Sequence, residues 1–313
     1  MTRPGRRVLV TGASGFIGRH VVARLAEEPG EVVGLDLREW PNAPCALRRA
    51  DIRDRRAMLE LFAAVRPEVV VHLASLVGVR ASVEEPDAYR ETNVEGTANL
   101  VHAAAEHGAR HIVFSSSSSV YGATTLRPSR EDDRLEPRSP YAQSKLEAEQ
   151  LVREFSGRST IARLFTVYGP GMRADLALHR FVVALSSGRP ITMLGDGQGC
   201  RDYTHVADVS DGLVACVRRG GDRQLTCNFG SGHAVSLTDM IGFLAQCVGQ
   251  RATVVEAPPH PADALHTCAS LERAFEALGY VPSVRFEDGV RALVRTLTRD
   301  GRKPALEQRP WVE

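Results

Sequence analysis

Tyr141 and Lys145 stand four residues apart in Ser139-Pro-Tyr-Ala-Gln-Ser-Lys145, a spacing that puts a phenol and an ammonium on one helix face. A compact ammonium lowers the pKa of a neighbouring phenol from its free value of about 10, which suits Tyr141 to exchanging a proton with a reacting hydroxyl. An arginine fork fills that place poorly. The composition makes the exception visible: the chain has two lysines, Lys145 and Lys303, against thirty-seven arginines. Alone, the pair reads more readily as an ordinary surface Tyr and Lys, so its meaning depends on what accompanies it.

Two further groups accompany it. Val8-Leu-Val-Thr-Gly12-Ala-Ser-Gly15-Phe-Ile-Gly18 runs from an apolar stretch through three glycines spaced by three into a helical pattern. Such a turn lets the backbone approach a pyrophosphate, which the N–H groups of the following helix bind. Eighteen residues after Gly18, the second apolar stretch ends at Asp36, where an acid can take both ribose hydroxyls of a dinucleotide. Asp36 repels a 2′-phosphate and favours NAD over NADP; Arg38 moderates that preference. The other group is the run Ser115–Ser119 closing His111-Ile-Val-Phe, which places hydroxyls at the end of a strand just before the helix that Tyr141 begins.

These residues need a scaffold. The patterns predict strands at Val8–Thr11, Val32–Asp36, Val69–Ala74, His111–Ser116 and Thr160–Tyr168, with helices at 16–27, 55–65, 87–107 and 141–155. Nearly continuous apolar strands alternating with helices indicate a parallel sheet covered on both faces. The fold class expected is α/β: a Rossmann-type doubly wound parallel sheet with a smaller C-terminal α/β lobe. Ligands of such sheets sit at the carboxyl ends of the strands, where the glycines, the serines and Tyr141 all fall. Past about residue 160 the alternation loosens into a Gly-Pro-Gly break, a helix near 176–187 and a short strand at 191–194. The expected division is 1–165 for the dinucleotide domain, 166–298 for an interleaved substrate lobe, and an Arg- and Pro-rich tail at 299–313 that frays.

With 313 residues, 43% hydrophobic and 25% charged, the chain is sized for one large domain or one plus a smaller lobe. A formal net charge of +1 with no basic run argues against nucleic acid, and the first apolar run is too short for a signal core or membrane span, so a cytoplasmic protein is expected. The six cysteines are scattered without C-x-x-C pairs, which predicts reduced thiols and no metal site.

The glycine turn, Asp36, Val71-His-Leu-Ala-Ser75, Asn93-Val-Glu-Gly-Thr97, Ser117 and Tyr141-x-x-x-Lys145 together resemble the extended short-chain dehydrogenase/reductase family of NAD-dependent nucleotide-sugar epimerases and dehydratases, over roughly residues 6–298. The resemblance selects Ser117 from the five serines and implies that Ser117, Tyr141 and Lys145 are catalytic. It further implies that Gly12, Gly15, Phe16, Ile17, Gly18, Asp36, Arg38, Asp51, Ile52, Leu73, Ala74, Ser75 and Asn93, with Tyr141 and Lys145, hold NAD. A homodimer is implied too, packed through the helix after Asn93 and the helix of Tyr141.

On the substrate side, dehydratases and decarboxylases of the family carry an acid just before Val-Tyr-Gly, where this chain has Ser118 and Ser119, so the resemblance points to epimerisation. Arg201 matches the arginine that binds the diphosphate, and Ile191–Met193 the stretch that pairs with uracil through its backbone. Thr166 and Arg173 match the spacing that holds a sugar carboxylate in UDP-glucuronate 4-epimerases. The implied substrate is therefore a UDP-hexuronate inverted at C4 through a 4-keto intermediate. The chain departs from the family at His260, where Arg is usual, while Asp263 and Arg80 remain candidate substrate contacts with Ser117 and Ser118. Alternatives are a neutral UDP-sugar 4-epimerase, a nucleotide-sugar ketoreductase or decarboxylase, and a non-enzymatic dinucleotide-binding redox regulator.

Overall fold

The computed structural model describes residues 6–122, 127–219, 222–259 and 264–298. Its first half runs β1 (Arg6–Thr11), α1 (Phe16–Ala26), β2 (Gly30–Asp36), β3 (Ala46–Arg49), α2 (Arg55–Val65), β4 (Val69–His72), α3 (Ala81–Glu84), α4 (Pro86–Arg90), a π-helical turn (Glu91–Glu95), α5 (Gly96–Glu106) and β5 (His111–Ser117). A 3₁₀ turn (Ser118–Tyr121) leads to α6 (Pro140–Arg153), β6 (Arg158–Leu164), β7 (Thr166–Tyr168), α7 (Ala177–Ser186), β8 (Ile191–Leu194), β9 (Cys200–His205) and α8 (Val206–Arg219). The remainder is β10 (Gln224–Phe229), β11 (Ala234–Ser236), α9 (Leu237–Val248), β12 (Val254–Ala257), α10 (Glu272–Leu278) and α11 (Phe286–Thr298).

Seven strands form one parallel sheet in the order β10-β6-β5-β4-β1-β2-β3. Successive side chains of a strand face opposite sides, and β1 shows it: Val8 and Val10 pack with Val21 and Val22 of α1 and Leu213 of α8, whereas Leu9 packs with Phe62 of α2 and Leu100 of α5. Both faces are thus covered by helices, as the continuous apolar strands require. The strand order reverses between β1 and β4, which opens a crevice at the carboxyl ends of β1, β4 and β5.

Two expected elements differ and one unexpected strand appears. The stretch Thr160–Tyr168 splits at Phe165, because β6 stays in the large sheet while β7 joins β9 and β11 in a three-stranded one; an unbroken apolar run conceals this change of partner. The helix expected over 87–107 is interrupted by the π turn, which turns Asn93 inward to 1% exposure. Strand β3, Ala-Leu-Arg-Arg at the sheet edge, is mostly exposed and had no apolar pattern to announce it.

The second core lies around α7, α9 and α11, with Leu178, Phe181, Ile191, Met193, Tyr203, Leu244 and Leu293 packed together and Phe16 of α1 against them. Between its segments, β10 returns to the large sheet beside β6. No helix among the described residues is long and apolar enough to cross a membrane. The expected tail at 299–313 lies outside the described residues.

Candidate active site

At the end of β1, Gly12 adopts φ 69°, and a Cβ there would stand 2.8 Å from the Ala74 amide nitrogen. A Cβ on Gly18 would strike the Gly12 carbonyl oxygen, and one on Gly15 would approach it to 2.9 Å. The three glycines therefore let β1 turn into α1 under the β4 loop. Gly15 is the N-cap, no side chain caps the helix, and its first turn, which contains Phe16, Ile17 and Gly18, holds no acid. Uncapped N–H groups at a helix start suit an anion such as a pyrophosphate. Beside them, Asp36 accepts from Ser14 N at 2.9 Å, and from Arg38 N at 2.9 Å and Arg38 Nε at 3.4 Å. A carboxylate has about four lone-pair positions, so with these three donors in place one position is left for a further hydroxyl. The cradle fits a dinucleotide.

The loop after β4 is fixed by hydrogen bonds. Thr11 Oγ1 accepts from the Leu73 and Ala74 amides at 3.2 and 3.1 Å and lies 2.7 Å from His72 Nδ1; His72 Nε2 lies 3.0 Å from Thr97 Oγ1, which donates to Asn93 O. Since Thr97 spends its proton on that carbonyl, His72 must donate from Nε2 and accept at Nδ1. Burial, with the Lys145 charge adding to it, pushes this imidazole down to about 3 and keeps it neutral. Asn93 clasps Leu76 through both its amide groups and donates to Ser144 Oγ at 3.0 Å, which ties the Ser75 loop to α6. Ile52 packs beneath Gly96, while the Asp51 carboxylate is engaged by Arg53 at 2.7 Å, which holds it below the usual carboxylate range.

Helix α6 starts on Ser139, whose Oγ accepts from Ala142 N at 3.1 Å, with Pro140 in its first turn. Lys145 is 2% exposed; its Nζ donates to Ser115 O at 2.7 Å and sits 4.8 Å from the centre of the Phe114 ring. Burial pushes this ammonium down to about 7, opposed by the charge of Glu149. Tyr141 shares a hydrogen bond with Ser117, and burial pushes its phenol up against that bond and the charge of Arg173. Burial thus outweighs the lowering expected of a neighbouring cation, and Arg173 supplies a charge beside the phenol that the helix spacing alone did not indicate. The serines divide their work. Ser115 offers its carbonyl to Lys145, Ser116 donates to Glu149, Ser117 meets Tyr141, and Ser119 N donates back to Ser117 Oγ at 3.2 Å. Ser118, half-buried, opens the 3₁₀ turn.

Arg173, in the loop before α7, carries its charge to both Tyr141 and Tyr89, and its Nε and Nη2 donate to Asp175 at 2.9 and 2.8 Å. Thr166 opens β7, half-buried. Arg201, on β9, donates from Nη1 to Cys200 O at 2.9 Å and Leu265 O at 3.3 Å, so among the described residues it is held by carbonyls rather than by a structural salt bridge. Ile191 and Met193 turn their side chains into the core around α7, α9 and α11, and Arg80 is exposed at the start of α3. His260 and Asp263 lie outside the described residues. The six cysteines are free thiols, and no cluster of His, Cys, Asp and Glu among the described residues could hold a metal.

Sequence reasoning missed three participants. Tyr89 meets the Tyr141 ring edge to face at 6.2 Å and donates to Val77 O at 3.0 Å. Glu149 continues the 141, 145 helix face by one more turn, a signal the i+4 rule contains. The role of His72 had no signal, because it sits within an apolar strand.

A doubly wound sheet with a glycine cradle at the switch point, an acid at the end of β2 and a Ser-Tyr-Lys cluster beyond β5 defines a dinucleotide-dependent enzyme class, and the chain belongs to the NAD dependent epimerase/dehydratase family, whose sequence pattern matches residues 8–230. It is 33% identical to a probable UDP-glucuronate 4-epimerase of Rhizobium meliloti (strain 1021), over 95% of this chain and 98% of that one. Among solved structures, it is similar to MoeE5, seen in complexes with UDP-glucose and NAD and with UDP-glucuronic acid and NAD, at 33% identity and a TM-score of 0.88, covering 94% of this chain and 99% of that one. It is also similar to the UDP-glucuronic acid 4-epimerase of Bacillus cereus in complex with UDP-glucuronic acid and NAD, at 31% identity and a TM-score of 0.87, with the same coverage.

Proposed function

We propose that this protein is an NAD-dependent UDP-sugar 4-epimerase whose preferred substrate is a UDP-hexuronate, interconverting UDP-glucuronate and UDP-galacturonate. The observation that carries the uronate reading is the position of Arg173: a guanidinium whose charge acts on the Tyr141 phenol stands where a carboxylate on the sugar ring undergoing proton exchange would meet it. The relatives' names support the same reaction. The 3₁₀ turn after Ser117 is Ser-Ser-Val-Tyr, with no acid to assist elimination or decarboxylation.

NAD, when bound, supplies a hydride acceptor at C4 and then returns the hydride. Gly12, the start of α1 and Asp36 would hold its pyrophosphate and ribose. Ser117 donates a hydrogen bond to the C4 oxygen, which positions it against Tyr141. Tyr141 takes the C4 hydroxyl proton and later returns it to the oxygen on the other face. Lys145, in its charged form, sustains the phenolate. Arg173 and Thr166 hold the carboxylate, while Arg201 anchors the diphosphate, so the ring turns about a fixed point. Because hydride leaves and returns within one cycle, net redox is zero.

The reaction is tested by incubating the protein with C4-deuterated UDP-glucuronate without added reductant, followed by NMR. UDP-galacturonate retaining deuterium at C4 is the expected product; a UDP-pentose as main product would contradict it in favour of decarboxylation. A second reading, epimerisation of a neutral UDP-sugar, is favoured by one observation: the Arg173 fork already has a carboxylate partner in Asp175. The protein is further proposed to act in the cytoplasm as a homodimer packed through α5 and α6, which sedimentation at working concentration checks.

A further inference from the structure

Two ionised side chains lie behind the active site, and the mechanism above uses neither. Glu149 is 1% exposed and Arg163 2%. Taking two charges out of water costs several kcal/mol each, a cost that only near-complete hydrogen bonding offsets. The bonding here is near complete. Glu149 Oε1 accepts from Ser116 Oγ at 2.6 Å and Arg163 Nε at 3.0 Å, and Oε2 accepts from Arg163 Nη2 at 2.9 Å and Arg153 Nη2 at 3.4 Å. Arg163 Nη1 donates to Tyr121 Oη at 3.1 Å and Glu131 O at 3.0 Å, and Tyr121 Oη donates to Asn228 Oδ1 at 2.6 Å.

Placement gives this cluster its meaning. Ser116 and Arg163 are register partners on β5 and β6, and Ser116 falls between Ser115, whose carbonyl receives Lys145, and Ser117, which meets Tyr141. Glu149 stands one helical turn beyond Lys145, so the residues at 141, 145 and 149 form one stripe of α6 laid along the serine run. One carboxylate therefore touches the strand that carries the serine and sits on the helix that carries the tyrosine and lysine.

We propose that Glu149 is a positioning residue of the Ser117–Tyr141–Lys145 centre: it supplies the counter-charge beneath Lys145 and, through Ser116 and Arg163, locks the end of β5 onto α6. The inference rests on the reading of Lys145 as a charged partner of Tyr141, and it deepens that reading. The groups facing Lys145 are Tyr141 and Glu149 on its own helix, His72 at the end of β4, and Phe114 and Ser115 on β5, with Arg163 of β6 behind Glu149. His72 is neutral, so among them Glu149 is the negative charge. Burial brings the ammonium down to about 7, within reach of working pH, and Glu149 opposes that fall. Loss of the Glu149 charge thus removes the proton from Lys145 at lower pH.

The scarcity of lysine makes this directly measurable. With Lys303→Arg as background, Lys145 is the sole lysine, and isotope-labelled lysine gives one side-chain signal whose titration reads its charge. In the full-length holoprotein, Glu149→Gln is expected to shift the Lys145 midpoint downward and move the alkaline limb of kcat to lower pH, with KM for UDP-glucuronate within about twofold of the parent. Glu149→Asp, which keeps the charge, restores the midpoint. Ser116→Ala, which cuts the tie to β5 alone, lowers kcat about tenfold with the midpoint unmoved, as expected of a small misplacement of reacting groups. Should Glu149→Gln fail to fold, Glu149→Leu with Arg163→Met fills the same volume without charge and is expected to shift the midpoint likewise. A midpoint equal to the parent's in whichever charge-removing variant folds, or Ser116→Ala with lower thermal stability but unchanged kcat, overturns the proposal. The midpoint does not depend on which sugar is turned over, so failure of the substrate reading leaves this result interpretable.

Discussion

The proposed redox centre and the proposed substrate side differ in how their polar groups are engaged. Around Ser117, Tyr141 and Lys145, donors and acceptors are paired in a buried network: Lys145 with Ser115, Glu149 with Ser116 and Arg163, His72 with two threonines, Asn93 with Leu76 and Ser144. On the substrate side, Arg173 is held by Asp175, whose side chain is 58% exposed, and Arg201 by two main-chain carbonyls. Exposed ion pairs contribute about 0 to 1 kcal/mol, whereas breaking a buried one costs about 3 to 5 kcal/mol. The residues proposed for the shared chemistry thus sit in a fully buried network, whereas the arginines proposed to choose the sugar have fewer and more exposed partners.

That contrast can be broken by substitution. Tyr141→Phe removes the proton-exchanging group and should lower kcat by about 10²- to 10⁴-fold, with the thermal midpoint nearly unmoved. Activity within a few-fold of the parent would return the protein to a binding role. Arg173→Ala is expected to lower kcat/KM for UDP-glucuronate about a hundredfold and for UDP-glucose only a few-fold; equal losses would remove the carboxylate clamp from the account. Gly18→Ala forces a methyl into the Gly12 carbonyl and should weaken retained NAD, read by absorbance of the purified protein, more than it alters KM for the sugar.

Smaller effects sharpen the same division. His72 is expected to stay neutral at working pH. Its folded pKa is depressed to about 3 from an ordinary value near 6.5, so the unfolded chain binds the extra proton as pH falls. Stability should therefore be full above about 6.5 and decline from there toward 3, and His72→Gln should flatten that decline in a chemical denaturation series. Ser139→Ala removes the cap of α6 and should cost about 1 kcal/mol in stability, with little change in kcat.

The same contrast governs what the sequence revealed. The glycine turn, Asp36, the serine-ended strand and the Tyr-Lys pair could be read because each needs a particular residue type at a fixed local spacing. Strand-end geometry placed the serine run near Tyr141, and the choice of Ser117 within it came from the family resemblance. The helix spacing offered Glu149 as a third residue on the 141, 145 face, but its pairing with Ser116 and Arg163 joins α6, β5 and β6, which no local pattern brings together. The split between β6 and β7 was hidden for a related reason: alternation and apolarity report burial, not which sheet provides it. Arg173 was chosen by resemblance, and its approach to Tyr141 became visible only once the loop before α7 was folded over the site.

The central claim is that a carboxylate on the sugar is recognised beside the shared redox centre. It is tested most directly by measuring kcat/KM for C4 epimerisation of UDP-glucuronate and UDP-glucose side by side on the parent protein. A preference for the uronate of about tenfold or more, matching at least one charge-assisted contact, is the predicted result. Equal values, or a preference for UDP-glucose, would contradict it.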